Sequence, residues 1–233
     1  MPENASSPAL AIRGLRKQFR DPEGGTFLAL DVPELIVARG EHVGVRGESG
    51  SGKTTLLNVI AGILPADGGT VEIAGEAMTG RGETARDALR AKHIGYLFQT
   101  FNLLPGLTAL ENVQLGMTFR PRGSGSPRKA AEEALARVGL ADRRAYRPAQ
   151  LSVGQQQRVA IARALAGHPT LVLADEPTSS LDSARATQCM ELLHEFTAET
   201  GAALLLVSHD EKLLEGFERV ETLRVPQPAG SDA

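Results

Sequence analysis

The chain has 233 residues, of which 42% are hydrophobic and 23% charged, the balance of an ordinary globular protein long enough to bury one core, alone or with a smaller lobe. A formal net charge of −3 and a pI near 6.0 exclude a broad basic footprint for nucleic acid. One cysteine, Cys189, excludes an internal disulfide and any C-x-x-C pair, and it is compatible with a reducing cytoplasm.

The first ten residues have neither a basic start nor an apolar run, so they are not expected to be a secretory signal. Leu10 to Leu15 and Phe27 to Val37 read as strands broken by the turn Asp21-Pro22-Glu23-Gly24-Gly25, which predicts a small antiparallel sheet. Phe19 follows Lys17-Gln18, where an aromatic ring either stacks on a base or packs in the core. His42 to Arg46 reads as a strand and Thr55 to Ala61 as a helix. Between them Gly47-Glu48-Ser49-Gly50-Ser51-Gly52-Lys53-Thr54-Thr55 fits the phosphate-binding pattern G-x-x-x-x-G-K-[ST] in the strand–loop–helix context it requires. Gly47, Gly50 and Gly52 let successive N–H groups turn inward, and the helix start adds its positive dipole end. Lys53 offers a point charge to β and γ phosphates, and Thr54 offers a hydroxyl to Mg²⁺.

Pro65 and an Asp67-Gly68-Gly69 turn are expected to close that helix, and Thr70 to Gly75 alternates as an edge or hairpin strand. The apolar run His93 to Phe98 ends at Gln99. Thr108-Ala109-Leu110-Glu111 is a capping box, Arg120 to Ser126 a loop, and Ser126-Pro127 opens a helix that Gly139 closes. Residues 99 to about 148 thus read as a mostly helical lobe inserted into the core. In Leu151-Ser152-Val153-Gly154-Gln155, ahead of the helical run Gln156 to Leu165, Ser152 is either a plain N-cap or part of a second anion site.

Thr170 to Pro177 is a continuous apolar strand, central and parallel, that ends in two carboxylates. Ligands of open α/β sheets bind at that end. Asp175 is placed to hold Mg²⁺ through water and Glu176 to polarise an attacking water, unless the two acids only solvate a loop. Ala203 to Ser208 is a second buried strand delivering His209 and Asp210, the histidine being either a γ-phosphate contact or structural. A short helix and one strand are expected after Glu211. The longest apolar stretch, around Ala202 to Val207, is too short to span a bilayer, so a membrane role requires a partner.

Taken together these motifs resemble the nucleotide-binding subunit of an ATP-binding cassette (ABC) transporter, in that family's order and over nearly the whole chain. The matched elements are the A-loop aromatic Phe19, the Walker A loop Gly47 to Thr54, the Q-loop Gln99 and the signature Leu151 to Gln155. They continue with Walker B through Glu176, a D-loop at Ser179-Ser180-Leu181-Asp182 and the switch histidine His209. The resemblance implies a single α/β domain over residues 1–233. Its P-loop NTPase core with a mostly parallel sheet and an N-terminal antiparallel β subdomain would span 10–98 and 160–224, its inserted helical subdomain 99–159, and polar tails 1–9 and 225–233. It implies an ATPase that closes as a head-to-tail dimer, each ATP lying between the Walker A loop of one copy and Ser152, Val153, Gly154 and Gln155 of the other. Glu176 would be the general base and His209 the γ-phosphate contact. Gln99 would touch Mg²⁺ or water, while Lys53, Thr54 and Asp175 stabilise phosphate and metal. It further implies membrane permease subunits docking near Gln99 to Leu115, a place on the cytoplasmic face of the inner or plasma membrane, and no nucleic acid partner.

Two positions depart from the family pattern. Phe19 stands where tyrosine is common and keeps the stacking face; Val153 stands where glycine is usual, adds a β-branched side chain and cannot take φ > 0 cheaply. The segment Phe98 to Pro105 with Leu107 to Val113 is most similar to the lipoprotein-release and macrolide-export (LolD/MacB) branch, whose membrane subunits often move a periplasmic domain. The rivals are a polar amino-acid importer ATPase, since the signature helix is shared, and a nucleotide-regulated cell-division scaffold. A DNA-repair or chromosome-organising ATPase would need a long coiled coil between Walker A and signature, and the short, glycine-interrupted segment here has none.

Overall fold

The computed structural model describes residues 7–21, 24–119, 126–179 and 181–226. Pro22 and Glu23 of the expected first turn, the loop up to Gly125, Ser180 and most of both expected tails lie outside the described residues. Two sheets form the frame. The first runs β2 (Thr26–Val37), β1 (Leu10–Arg20), β4 (Gly68–Ile73), β5 (Glu76–Ala77), with antiparallel pairing throughout. The second is parallel, in the order β6 (Ile94–Leu97), β7 (Leu171–Asp175), β8 (Ala203–Ser208), β3 (His42–Arg46), β9 (Arg219–Thr222).

Every residue of β7 and β8 is buried, because both faces of the parallel sheet are covered. The period-2 alternation of a strand divides them between two apolar clusters. Leu171, Leu173, Leu205 and Val207 pack with the antiparallel sheet and with Leu56, Leu57 and Ile60 of α1 (Lys53–Ile60). Val172, Ala174, Leu204 and Leu206 face the other side. There they meet α3 (Ala109–Leu115), α4 (Pro127–Arg137), α5 (Val153–Leu165) and α6 (Ser183–Thr200). The α/β class, the parallel sheet and the antiparallel sheet are those the sequence predicts.

The element bounds differ from expectation in several places. β1 runs on to Arg20, so Lys17, Gln18 and Phe19 lie in a strand. α1 begins inside the phosphate motif, at Lys53. Gly68 and Gly69 open β4 instead of forming a turn that ends α1; Gly69 has φ +77, and a Cβ there would collide with the Gly14 backbone on β1. β7 is interior but second from the sheet edge, and β8 is the centre. α2 (Glu83–His93) and α6 have no counterpart among the elements the sequence predicts. The capping box at Thr108 and the helix between Pro127 and Gly139 form as the sequence predicts, as do α7 (Glu211–Leu214) and β9 after His209.

Candidate functional site

The site begins where β3 ends. The chain turns through Gly50 at φ +81 and Gly52 at φ +91, the left-handed region glycine enters without a Cβ penalty. Gly52 is the N-cap of α1 and supplies no side-chain cap, so donors of the first turn are left for an external acceptor. No Cβ fits at Gly47, where it would collide with Ser51 Oγ and lie 2.9 Å from the Leu223 carbonyl. The Ser51 hydroxyl is buried without a hydrogen-bond partner among the described residues. An orphaned buried hydroxyl and an uncapped helix start, side by side, are the donor set that a phosphate chain satisfies.

Lys53 is buried, and its Nζ donates to the Gly47 carbonyl at 2.7 Å and the Glu48 carbonyl at 2.9 Å. The same ammonium lies 3.6 Å from Glu176 Oε1. Thr54 Oγ1 donates to Asp175 Oδ1 at 3.2 Å, which joins the start of α1 to the end of β7. Burial holds the Asp175 carboxyl above the usual aspartate range, aided by the neighbouring Glu176 charge and opposed by Thr54 and Lys53. A buried acid with its proton affinity raised and a hydroxyl beside it is a ready oxygen pair for a hard divalent cation. Glu176 sits at φ +43, an uncommon conformation for a residue with a Cβ. Its backbone N–H donates to Val207 of β8 at 3.0 Å, and its Oε2 lies 2.8 Å from His209 Nδ1. The carboxyl ends of three adjacent parallel strands, β3, β7 and β8, therefore bring Lys53, Thr54, Asp175, Glu176 and His209 together. Glu48, Ser49 and Gly50 form the exposed outer turn of the loop, and Thr55 is half-buried in the first turn of α1.

Phe19 is half-buried at the end of β1, directly across from Phe27 on β2. Gln99 is exposed and makes no side-chain hydrogen bond among the described residues. Just beyond it Phe101 and Asn102 take φ +58 and +47, and the Arg163 guanidinium from α5 donates to both of their carbonyls. Ser152 is the N-cap of α5, with Gln155 N–H donating to its Oγ at 3.3 Å and Ser152 N–H donating back to Gln155 Oε1 at 3.0 Å. Val153 is the first residue of that helix with no positive φ, and it is 45% exposed. The backbone here thus makes no demand for glycine, and only the β-branched bulk distinguishes valine.

The phosphate loop and the Ser152–Gln155 segment line separate cavities. Gly47, Glu48, Ser51 and His209 line one cavity of about 540 Å³. Ser152, Gly154 and Gln155, with Arg158 and Arg185, line another of about 200 Å³ that shares none of its residues. No residue lines both cavities. Sequence reasoning missed Phe27, whose pairing depends on strand register, and Arg163, which reads as one more charge on a helix. It also missed Gln157, a buried amide that donates to the Pro177 carbonyl at 2.8 Å and so ties α5 to the loop after Glu176.

Residues 30–179 match the family model described as ABC transporter. An uncharacterized ABC transporter ATP-binding protein, YbbA of Escherichia coli strain K12, is 45% identical over 186 residues, covering 80% of this chain and 82% of that one. The lipoprotein-releasing system ATP-binding protein LolD of Ruegeria pomeroyi is 43% identical over 219 residues, covering 94% and 96%. Among solved structures, the ATP-binding cassette MJ0796, a dimer in a post-hydrolysis state bound to ADP and Pi, superposes with a TM-score of 0.84 at 39% identity, covering 92% and 94%.

Proposed function

The chain belongs to the ABC transporter family, and from that premise we propose that it hydrolyses MgATP at the meeting point of β3, β7 and β8 and drives a membrane partner by closing on a second copy of itself. It is an ATP-binding ATPase subunit of the LolD/MacB type. The observation that carries the mechanism is the junction in which Glu176 lies between Lys53 and His209 while Thr54 and Asp175 pair beside it.

In this reading the free donors of α1 and the Lys53 ammonium hold the β and γ phosphates. Mg²⁺, held by Thr54 and through water by Asp175, would neutralise developing phosphate charge. Glu176 takes the proton of the attacking water. His209, at 2.8 Å, fixes that carboxylate's orientation and is the imidazole that would contact the γ-phosphate. Gln99, exposed at the mouth of the helical lobe, reports the metal or water to that lobe. In this reading Ser152, Gly154 and Gln155, which line a cavity separate from that of the phosphate loop, serve the partner copy's loop, and the γ-phosphate becomes the link between copies. The solved MJ0796 cassette is dimeric, which supports the reading.

A groove of about 540 Å³ lined by Arg90, Tyr96, Phe98, Phe119 and Arg163 lies beside the Gln99 loop, with Phe119 76% exposed. This apolar, aromatic surface is our choice for the permease contact. No helix among the described residues is long and apolar enough to cross a membrane, so the permease is what would hold the subunit at the cytoplasmic face. Lipoprotein release or export is the transport mode that the names of the LolD and MacB relatives favour.

The test compares ATP turnover and ATP affinity of the parent with those of Glu176→Gln. Loss of a general base lowers turnover by about 10²–10⁴-fold, while affinity is retained. Parental turnover in the variant would refute the assignment.

A further inference from the structure

The antiparallel sheet carries an irregularity beside the phosphate loop. Along the β1–β2 pairing, Lys17 is opposite Leu30 but Gln18 is opposite Leu28, so Ala29 is an extra residue in β2. Such a bulge re-aims the side chains beyond it. Leu30 and Phe27 are three positions apart and would face opposite sides of a regular strand. With Ala29 inserted, Phe27 faces the same side as Leu30, because it pairs with Phe19, two residues on from Lys17. That side is the one against the phosphate loop: a Cβ on Gly52 would lie 2.7 Å from the Ala29 carbonyl and 2.8 Å from Leu30 Cδ2.

The result is an aromatic pair on the same side of the sheet as Leu30, whose side chain reaches Gly52 at the start of α1. The Phe19 and Phe27 ring centroids are 5.9 Å apart, with a 35° angle between planes. Two rings that sandwich a flat base need about 7 Å, twice a contact distance of about 3.5 Å, so these two form one broadened platform instead. The Lys17 ammonium lies over the Phe19 ring, 5.4 Å from its centroid; it is buried and paired with Asp67 at 3.0 Å. One face of Phe19 is thereby taken by the protein. Phe27 is 52% exposed, more than a core role requires.

We infer that Phe27 is a second base-contacting residue, which extends the Phe19 platform under the adenine of the bound nucleotide; this rests on the ATP-binding reading above. The bulge at Ala29 sets both the reach of Phe27 and the seat of Gly52, so base and phosphate contacts are built on one stretch of β2.

The test measures dissociation constants of MgATP and of magnesium tripolyphosphate, which has the phosphates without the base, for the parent, Phe27→Ala and Phe27→Tyr. Phe27→Ala should weaken MgATP about 3- to 10-fold, the effect of one lost aromatic contact, with tripolyphosphate unchanged and Phe27→Tyr close to the parent. The chain has no tryptophan, so Phe27→Trp adds a single reporter whose emission should shift with MgATP but not with tripolyphosphate. Equal MgATP affinity in Phe27→Ala and the parent overturns the inference, as does equal weakening of both ligands or a silent reporter at saturating MgATP. A parent that binds tripolyphosphate but no MgATP overturns the ATP reading and this inference together.

Discussion

Gly50 and Gly52 offer a controlled measure of how tightly the phosphate loop is held against β2. Both have positive φ, +81 and +91, so alanine at either meets the left-handed penalty of about 1–2 kcal/mol. A stiffer unfolded chain offsets about 0.4–1 kcal/mol of it, and these contributions nearly cancel between the two variants. The surroundings do not cancel. A Cβ on Gly50 has nothing within 4 Å, whereas one on Gly52 meets the Ala29 carbonyl at 2.7 Å and Leu30 Cδ2 at 2.8 Å. The carbonyl is backbone and cannot rotate away, so α1 and β2 must separate, an overpacking strain of about 1–3 kcal/mol. For a chain of this size each kcal/mol moves Tm by about 2–4 °C. Gly52→Ala is therefore expected to melt about 2–12 °C below Gly50→Ala, read by calorimetry without nucleotide. Its loop donors are also displaced, so isothermal titration should show the weaker MgATP binding in the same variant. If the two variants melt together, the seating of the loop on the β2 bulge is wrong.

Two further variants separate fold from chemistry. Asp175 has its proton affinity raised by burial, so the folded chain holds that proton more tightly than the unfolded one, and this residue's contribution to stability falls as pH rises through the carboxylate range. Asp175→Asn keeps an acceptor for Thr54 and cannot ionise; the metal-free variant should melt above the parent at pH 7–8 while losing magnesium-dependent ATP binding, and an unchanged or lower Tm would count against the buried charge. Val153→Gly should move Tm by less than about 2 °C, since the side chain is exposed at the first helical position and the propensity difference is a few tenths of a kcal/mol. The ATPase rate should rise as β-branched bulk leaves the signature surface, and an unaltered steady-state rate would mean that Val153 is a neutral departure.

Much of this architecture is legible before any coordinates. Apolar runs ending in Asp175-Glu176 and in Ser208-His209 announce parallel strands buried on both faces, and the strands lie side by side as Leu171–Asp175 and Ala203–Ser208. The Ser152 cap is equally plain, because its Gln155 partner sits three residues on. What escaped depends on contacts distant in sequence. α2 buries only Leu89 and His93, too few for a periodic stripe. α6 does carry one, at Cys189, Leu193, Phe196 and Thr197, and that spacing was the available signal. Gly68-Gly69 read as a turn because glycine pairs usually mark one; only pairing with β1 makes it the start of a strand. The Phe19–Phe27 pair rests on a one-residue bulge that local propensity does not encode. The left-handed Glu176 defies local expectation twice, being neither glycine nor in the extended conformation favoured before Pro177. It is held there by its N–H bond to Val207.

The central claim is that each chain supplies two half-sites which only a second copy completes. Light scattering of Glu176→Gln at saturating MgATP measures it most directly. The mass should double from 24.7 kDa, return to the monomer value with MgADP, and fail to double when Ser152→Arg blocks the signature surface. A chain that stays monomeric with MgATP at high protein concentration, with the membrane partner supplied, would contradict the account.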